Sequence, residues 1–343
     1  MAERDSARTL DPAELAGGDS KRWLDYLSAD EIRELRQMHD WRSWASLVTD
    51  WGLIGAALAL VARFPNPLSV VLAVAVIGTR QLGLAILMHE ASHRTLFRGR
   101  GLNDWVGTWL CAYPIWSDLA PYRRYHLQHH AKNWTAEDPD LGLAAPFPVT
   151  PSSMRRKIVR DLTGRTALKR VVYTLARHTG RIPDLTGGAV QPSRASLVGV
   201  AVTNLALVAL LAAAGHPALY LVWVAAWLTT HHLVIRLRSI AEHAMILDPG
   251  DPLRNTRTTL ASGWERLLLA PNYVNYHLEH HLVMTVPHYQ LPRMHRLLRE
   301  RGALDHACVA EGYLGVLRLA ASKPERGFAA PAPANERAGS SPR

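Results

Sequence analysis

The sequence predicts an all-α membrane protein with four transmembrane helices in two hairpins and a cytoplasmic helical cap that holds a histidine-rich dimetal site. Three observations support this fold class. Four apolar stretches approach the roughly 20 residues needed to cross a bilayer. Lysine and arginine collect at one end of each stretch, and three histidine clusters follow at that same end. Four buried helices of a soluble protein are the alternative, but the length and charged flanks of the stretches favour the membrane.

Composition narrows the class of protein. The net charge of +10 suits nucleic acid or an anionic membrane surface, and no nucleic-acid motif is present, so we expect no nucleic-acid partner. Only two cysteines occur, Cys111 and Cys308, which argues against a disulfide framework. The absence of a CxxC pattern argues against a zinc ribbon or an iron–sulfur site. We interpret Cys111 as a packing residue.

The apolar stretches form two pairs. The first pair covers about 44–62 and 68–88 and is joined by a turn at Phe64–Pro67. The second pair covers about 195–214 and 218–235 and is broken by Gly215, His216 and Pro217. Because both connections are very short, each pair is predicted to be an antiparallel helical hairpin.

These spans define the expected domains. Residues 1–40 are an N-terminal cytoplasmic segment, partly disordered, whose first twenty residues lack the apolar core of a cleavable signal peptide. Residues 41–322 form an integral-membrane domain. Residues 323–343 are rich in Ala, Pro, Gly and Ser and are expected to be a disordered tail.

Positive charge predicts the orientation of the spans. Arg63 is the only lysine or arginine in the two short turns, whereas the other ends carry eleven: Lys21, Arg22, Arg33, Arg36, Arg42, Arg94, Arg98, Arg100, Arg194, Arg236 and Arg238. Cytoplasmic loops carry such an excess. Both termini and all three histidine clusters are therefore expected in the cytoplasm.

Two features of the long connection at 94–194 are informative. Its part at 102–119 is apolar but interrupted by polar residues, which predicts an interfacial or re-entrant helix pair. Its part at 154–181 is basic, which predicts a helix on the lipid headgroups or, alternatively, a solvated charged helix.

The first hairpin contains one charge of each sign. Asp50 lies 16 residues before Asn66 in the turn, and Arg80 lies 14 residues after it. At about 1.5 Å per residue, their depths are roughly 24 and 21 Å from the turn. Charges inside spans usually face the bundle interior and pair, so an ion pair is predicted. Separate snorkelling to the cytoplasmic interface is the alternative.

The histidine clusters have helical spacing. His89 and His93 are four residues apart, and His126, His129 and His130 repeat the same i, i+3, i+4 spacing as His277, His280 and His281. Such residues share one helix face, with Cβ atoms about 5–6 Å apart. Neutral imidazole is the commonest metal ligand among side chains. Eight imidazoles exceed the needs of one ion, so the clusters predict two metal ions of the kind that imidazole suits, Zn, Cu, Fe or Ni.

In their local sequence, these clusters resemble the histidine boxes of the membrane fatty acid desaturase superfamily, which includes carotenoid ketolases, carotenoid hydroxylases and alkane hydroxylases. The resemblance covers about residues 44–298 and rests on HEASH followed by RTLF, HLQHH followed by DPD, and NYHLEHH. It implies a diiron site with nine ligands: His89, His93, His126, His129, His130, His243, His277, His280 and His281. For the ninth, His243, the rivals are His231 and His232.

The resemblance also implies a reaction. It implies O2-dependent desaturation of a membrane lipid or lipid-linked acyl chain, in a protein of the bacterial inner membrane. Electrons would come from a separate ferredoxin-like donor and its reductase, since the chain has no flavin, haem or iron–sulfur signature. A carotenoid ketolase, carotenoid hydroxylase or other lipid hydroxylase is the alternative, although ketolases typically have HDAMH where this chain has HEASH. A metal transporter is more remote, because transporters place ligands inside their spans.

Other polar residues have less specific interpretations. Glu90, Asp138 and Glu279 are either partners of imidazole N–H groups or surface carboxylates. The remaining histidines are interpreted as surface or interfacial residues: His39, His178, His216, His288, His295 and His306.

Overall fold

A computed structural model describes residues 23–178 and 194–324. The predicted disorder at the two ends of the chain therefore falls mostly on residues 1–22 and 325–343, which lie outside the described residues. The α-helices are α1 (Ala29–Leu35), α2 (Asp40–Arg63), α3 (Pro67–His93), α4 (Arg100–Val106), α5 (Leu119–Lys132), α6 (Leu141–Ala144), α7 (Pro151–Leu162), α8 (Arg165–His178), α9 (Arg194–Ala213), α10 (Leu219–Ala226), α11 (His232–His243), α12 (Gly263–Leu268), α13 (His277–Leu282), α14 (Leu291–Glu300) and α15 (Tyr313–Ala320). Two π-helical segments, Gly107–Ala112 and Trp227–His231, and four short 3-10 turns, Trp23–Tyr26, Tyr113–Ile115, Pro271–Tyr273 and His288–Gln290, complete the helices of the described residues.

Four helices are long and apolar enough to cross a membrane, as predicted: Asp40–Arg63, Pro67–His93, Ser196–Ala213 and Pro217–His243. The second begins where Asn66 caps the backbone N–H of Ser69 and Pro67 takes the first helical position. The second and fourth continue past the predicted spans, to His93 and His243. Their ends therefore carry histidines beyond the apolar part of each helix.

Helix α3 is the centre of the bundle. It packs against α2, α5, α10 and both π segments. Its side chains Leu84, Leu87 and Ala91 are fully buried. Leu68, Val71 and Leu72 near the start of α3 are exposed, whereas nearly every residue from Ile77 to Ser92 is buried, so the C-terminal end of α3 is held in the interior.

The apolar stretch at 102–119 differs from its prediction. Instead of a helix pair, α4, the π segment Gly107–Ala112 and the turn Tyr113–Ile115 form one continuous irregular helix. Gly107 allows its close approach to α3, since a side-chain carbon there would lie 2.4 Å from Ala91 Cβ. The Asn103 amide donates to the Ala91 carbonyl at 2.9 Å. One of the polar residues that interrupt the apolar pattern thus provides a hydrogen bond to a backbone carbonyl near the end of α3.

The residues after the fourth span form a cap over one end of the bundle. A short parallel ladder joins β1 (Thr258–Leu260) to β2 (Val309–Glu311). Between these strands lie α12, α13 and α14, and α1 packs on α14. A cluster that includes Leu35, Leu278 and Leu298 forms the core of this cap. The ladder closes the segment that contains the third histidine cluster into a loop.

The predicted ion pair in the first hairpin is confirmed. Arg80 Nη1 lies 3.2 Å from Asp50 Oδ1, and both side chains are buried. The Asn272 amide donates to Asp50 Oδ2 at 2.8 Å and to the Gly83 carbonyl at 3.1 Å. Arg80 also donates to the Leu267 carbonyl. The pair therefore links the hairpin to the cap segment that precedes the third histidine cluster.

We expect Asp50→Ala or Arg80→Ala alone to destabilise the protein by about 3–5 kcal/mol, because either change leaves one buried charge without its partner. The double change to Ala should cost less than the sum of the two. Thermal unfolding of the four purified proteins in one detergent measures this coupling. Strictly additive losses would contradict the pairing.

Candidate metal centre

All nine histidines predicted as ligands converge in two adjacent groups. The ligand nitrogens within each group lie within 4.8 Å of one another. The first group holds five residues: His89, His93, His126, His130 and His280. The second group holds four residues: His129, His243, His277 and His281. The rings of His130 and His281, one from each group, are 4.1 Å apart between centroids. The arrangement offers two neighbouring metal positions.

Four helix segments bring these rings together. The last turn of α3 carries His89 and His93, and α11 ends at His243. Helix α5 carries the second cluster, and the six-residue helix α13 begins at His277 and carries the third. Because residues three and four apart share a helix face, each short helix presents its histidines to the same space.

The structure separates the candidates for the ninth position. His243 Nε2 lies 2.8 Å from His277 Nε2, inside the four-histidine group. His231 and His232 belong to neither group and lie where the π segment meets α11. The His232 Nδ1 atom is 2.8 Å from the Trp227 carbonyl oxygen. Geometry therefore favours His243 over both rivals.

The surroundings of several of these histidines favour the neutral ring. Desolvation, followed by the charges of neighbouring histidines, lowers the pKa of His126, His280 and His281 well below its usual range near 6.5. The pKa of His130 and His277 moves in the same direction for the same first cause. A neutral imidazole keeps a lone pair for a metal, so these rings are in the ligand state at neutral pH.

The unsatisfied nitrogens indicate that the group fits metal. Both ring nitrogens of His89 and of His93 are buried without a hydrogen-bond partner, as are His129 Nε2 and His281 Nε2. The Nε2 atom of His130 lies 2.9 Å from His126 Nε2 and 3.1 Å from His280 Nε2, although a neutral ring has one proton to share. Unpartnered buried polar atoms are costly, and metal ions would satisfy them.

Carboxylates lie behind three of the rings. Asp138 Oδ1 is 2.8 Å from His129 Nδ1, and Glu90 Oε1 is 3.3 Å from His89 Nδ1. The Asp138 contact is a hydrogen bond, which fixes the tautomer and orientation of a ligating ring, whereas Glu90 is a charged neighbour of His89 without hydrogen-bond geometry. Glu242 Oε2 lies 3.6 Å from His277 Nδ1, a contact that was not predicted from the sequence. Its position directly before the candidate ligand His243 is the sequence feature that could have indicated this contact.

The prediction that His288 and His295 are surface or interfacial residues is wrong. Both are buried, with relative exposures of 1% and 6%. His295 Nδ1 lies 2.6 Å from Glu279 Oε1, so this carboxylate pairs with His295 rather than with a predicted ligand. The His288 backbone donates to Glu90 at 2.9 Å, and its Nε2 lies 2.9 Å from Ser46 Oγ.

The other predicted non-ligands differ in exposure. His216 and His306 are exposed, His39 is half-buried, and the side chain of His178 lies outside the described residues. Cys111 is fully buried in the apolar core, consistent with a packing role.

Comparison with known proteins identifies the relatives of this chain. The family model for fatty acid desaturases matches residues 65–311. Dihydrorhizobitoxine desaturase of Bradyrhizobium elkanii is 29% identical over 242 residues, or 66% of each chain. The chloroplastic omega-6 fatty acid desaturase of Brassica napus is 25% identical over 289 residues, covering 79% of this chain and 62% of the relative. The chain thus spans slightly under two thirds of the length of these curated relatives.

We expect His243→Ala to release metal from the four-histidine group, because one of its four nitrogen donors is lost. His232→Ala is the matched control, since it removes a buried histidine of the same helical run outside both groups. Metal content per chain after purification, measured by elemental analysis, separates the two. Full metal content in His243→Ala together with metal loss in His232→Ala would reverse our choice of ligand.

We expect His288→Ala to weaken metal retention about 10-fold, because the His288 ring, whose Nδ1 lies 3.5 Å from Glu90 Oε2, helps to hold that carboxylate beside His89. Loss of such an outer partner of a metal site typically costs about 10–100-fold, and here the backbone contact to Glu90 remains. The exposed His306→Ala is the control. Competition with a chelator of known affinity measures retention in both variants. Equal retention would show that the His288 ring does not support Glu90.

Proposed function

The chain belongs to the fatty acid desaturase family, and we propose that it is an O2-dependent diiron desaturase acting on a lipid acyl chain. The observation that carries this proposal is the convergence of nine histidines, six of them buried and many with unpartnered nitrogens, beside the ends of membrane-spanning helices. Such a site lies beside the phase in which acyl chains dissolve. The metal is proposed to be iron, which is among the ions that imidazole suits.

The proposed reaction needs an external oxidant and electrons. A saturated –CH2–CH2– unit, O2, two electrons and two protons give –CH=CH– and two molecules of water. No side-chain acid or base removes hydrogen from an unactivated carbon, so a redox cofactor must do so. Two irons held by the histidines would supply the activation of O2.

The protein contributes ligands, orientation and a dry environment. Asp138, itself held by the backbone N–H groups of Trp134 and Asp140 at 2.9 and 2.8 Å, orients the His129 ring. The Tyr122 ring stacks on His126 with 5.3 Å between centroids. Six of the nine predicted ligands are buried, which limits access of water to the site and favours controlled oxidation over side reactions.

We propose that the centre faces the cytoplasm of a bacterial cell. The hairpin turns lie at the ends of α2, α3, α9 and α10 that are remote from the two histidine groups, and they carry little positive charge. The opposite ends carry the arginines and lysines. This distribution follows the rule for cytoplasmic loops.

The relatives do not specify one substrate. One is named for dihydrorhizobitoxine and the other for an omega-6 fatty acid. Both are named as desaturases, which favours desaturation over carotenoid ketolation or lipid hydroxylation. Within desaturation, an acyl lipid suits a site at the ends of four apolar helices.

Expression in a bacterial host that lacks desaturases tests the proposal. We expect new unsaturated acyl chains by lipid mass spectrometry, and none with a His126→Ala variant expressed at the same level. New hydroxylated lipids, or oxidised carotenoids in a host that makes carotenoids, with unchanged acyl chains would instead support the alternative activities.

We further propose that an acidic, ferredoxin-like carrier and its reductase deliver the electrons. The net charge of +10 favours encounter with an acidic protein. Turnover supported by such a carrier should then fall steeply as ionic strength rises, whereas the metal content stays constant. A rate that does not change with salt would contradict electrostatic docking.

A further inference from the structure

A basic helical hairpin, formed by α7 and α8 with Gly164 between them, lies against the fourth span. Both of its helices contact the π segment Trp227–His231. A side-chain carbon on Gly164 would lie 3.7 Å from Leu228 Cβ. The Asp161 carboxylate, close to the turn, is bound by the Arg236 guanidinium, with Arg236 Nη2 2.9 Å from Asp161 Oδ1. The hairpin is therefore fixed to the span.

These contacts place the hairpin beside the membrane-spanning part of the helix. Leu228 lies 11 residues after Pro217, where the fourth span begins. At about 1.5 Å per residue this is roughly 16 Å along the helix, about half of a hydrocarbon core of about 30 Å. Arg236 lies further along the same helix than Leu228, and therefore closer to His243, where the helix ends. The hairpin thus occupies the level of the leaflet on the histidine side.

The surface of the hairpin is strongly cationic. Residues 151–178 contain eight lysines and arginines and a single acid, Asp161, which is buried. A cleft of about 680 Å³ is lined by five of the cations: Arg155, Arg156, Lys157, Arg160 and Arg165. Burial, followed by the charges of Arg236 and Arg160, lowers the pKa of Lys157. The Asp161 carboxylate is already bound by Arg236, so these cations form a crowded positive field that an anion would relieve.

Apolar side chains are exposed among these cations. Val159, Leu162, Leu168 and Val172 are each about half exposed or more. A soluble acidic protein would match the charge but would leave these side chains in water or against a polar rim. A lipid leaflet matches both, since its acyl chains cover apolar side chains while long arginine and lysine side chains extend to the phosphates.

We propose that the α7–α8 hairpin is a binding site for anionic phospholipid, with Arg155, Arg156 and Arg160 contacting headgroup phosphates and the exposed apolar residues in the acyl layer. The site is separate from the histidine centre. It makes the lipid composition of the leaflet a determinant of how firmly the hairpin, and through Asp161 the fourth span, is held.

The test compares the metal-loaded full chain in nanodiscs of phosphatidylcholine with nanodiscs containing a fraction of phosphatidylglycerol. We expect phosphatidylglycerol to raise the melting temperature of the wild type and to be retained on detergent extraction. The triple variant Arg155→Gln, Arg156→Gln, Arg160→Gln should lose most of both effects. Since each basic residue near an anionic surface contributes about 1 kcal/mol, the loss in phosphatidylglycerol affinity should be on the order of 100-fold.

Two further variants control for fold and charge. The triple lysine variant at the same positions should keep the lipid effect. Gln at the exposed Arg36, Arg296 and Arg299 changes the net charge equally and should keep it as well. Equal melting temperatures of all variants in phosphatidylcholine would show that each one folds.

Three results would overturn the proposal. The first is an unchanged phosphatidylglycerol effect in the triple Gln variant. The second is an equal stabilisation of the wild type in phosphatidylcholine by inorganic phosphate alone, which would indicate a site for the free anion. The third is a triple Gln variant that loses affinity for an acidic electron carrier but is still stabilised by phosphatidylglycerol, which would make the hairpin a protein-docking surface.

Discussion

Nine imidazole rings must stay close together and away from water, although eight of their eighteen nitrogens are buried without a hydrogen-bond partner. Without metal, buried nitrogens of this kind are costly, because each loses its hydrogen bonds to water and gains none in return. The surrounding structure therefore has to hold the rings in place by other contacts. The rigid ends of α3 and α11, the short helices α5 and α13, and the carboxylates of Asp138 and Glu90 provide those contacts.

The membrane-spanning helices and the cap are joined by charged and polar contacts. Asp50 and Arg80 connect two spans, and Asn272 and Leu267 connect that pair to the cap. Gly83 makes room for the carboxylate, since a side-chain carbon there would lie 2.4 Å from Asp50 Oδ1. A second link runs from Ser46 through His288 to Glu90. Both links begin on α2, so the first span supports the metal centre without contributing a ligand.

Local sequence patterns predicted the parts of the structure that depend on local periodicity. The four spans, the box histidines and the level pairing of Asp50 with Arg80 follow from residue spacing along single helices and from one short turn. The burial of His288 and His295 could not be predicted in this way. The partners of His288, Glu90 and Ser46, lie 198 and 242 residues away in the chain, and the partner of His295, Glu279, lies in another helix. The single irregular helix at Arg100–Ile115 was missed because its breaks in apolar pattern are satisfied by contacts with α3.

The π segment Trp227–His231 sets the helical register of the fourth span. A π turn holds one more residue than an α turn, and one residue corresponds to about 100° of rotation around the axis. Trp223, before the segment, stacks on Trp51 of the first span, whereas His243, after it, faces the other histidines. Because of that additional residue, one helix can direct Trp223 towards the first span and His243 towards the other histidines. An aligned relative with an uninterrupted α-helix here would need one residue fewer between the two positions to present the same two faces.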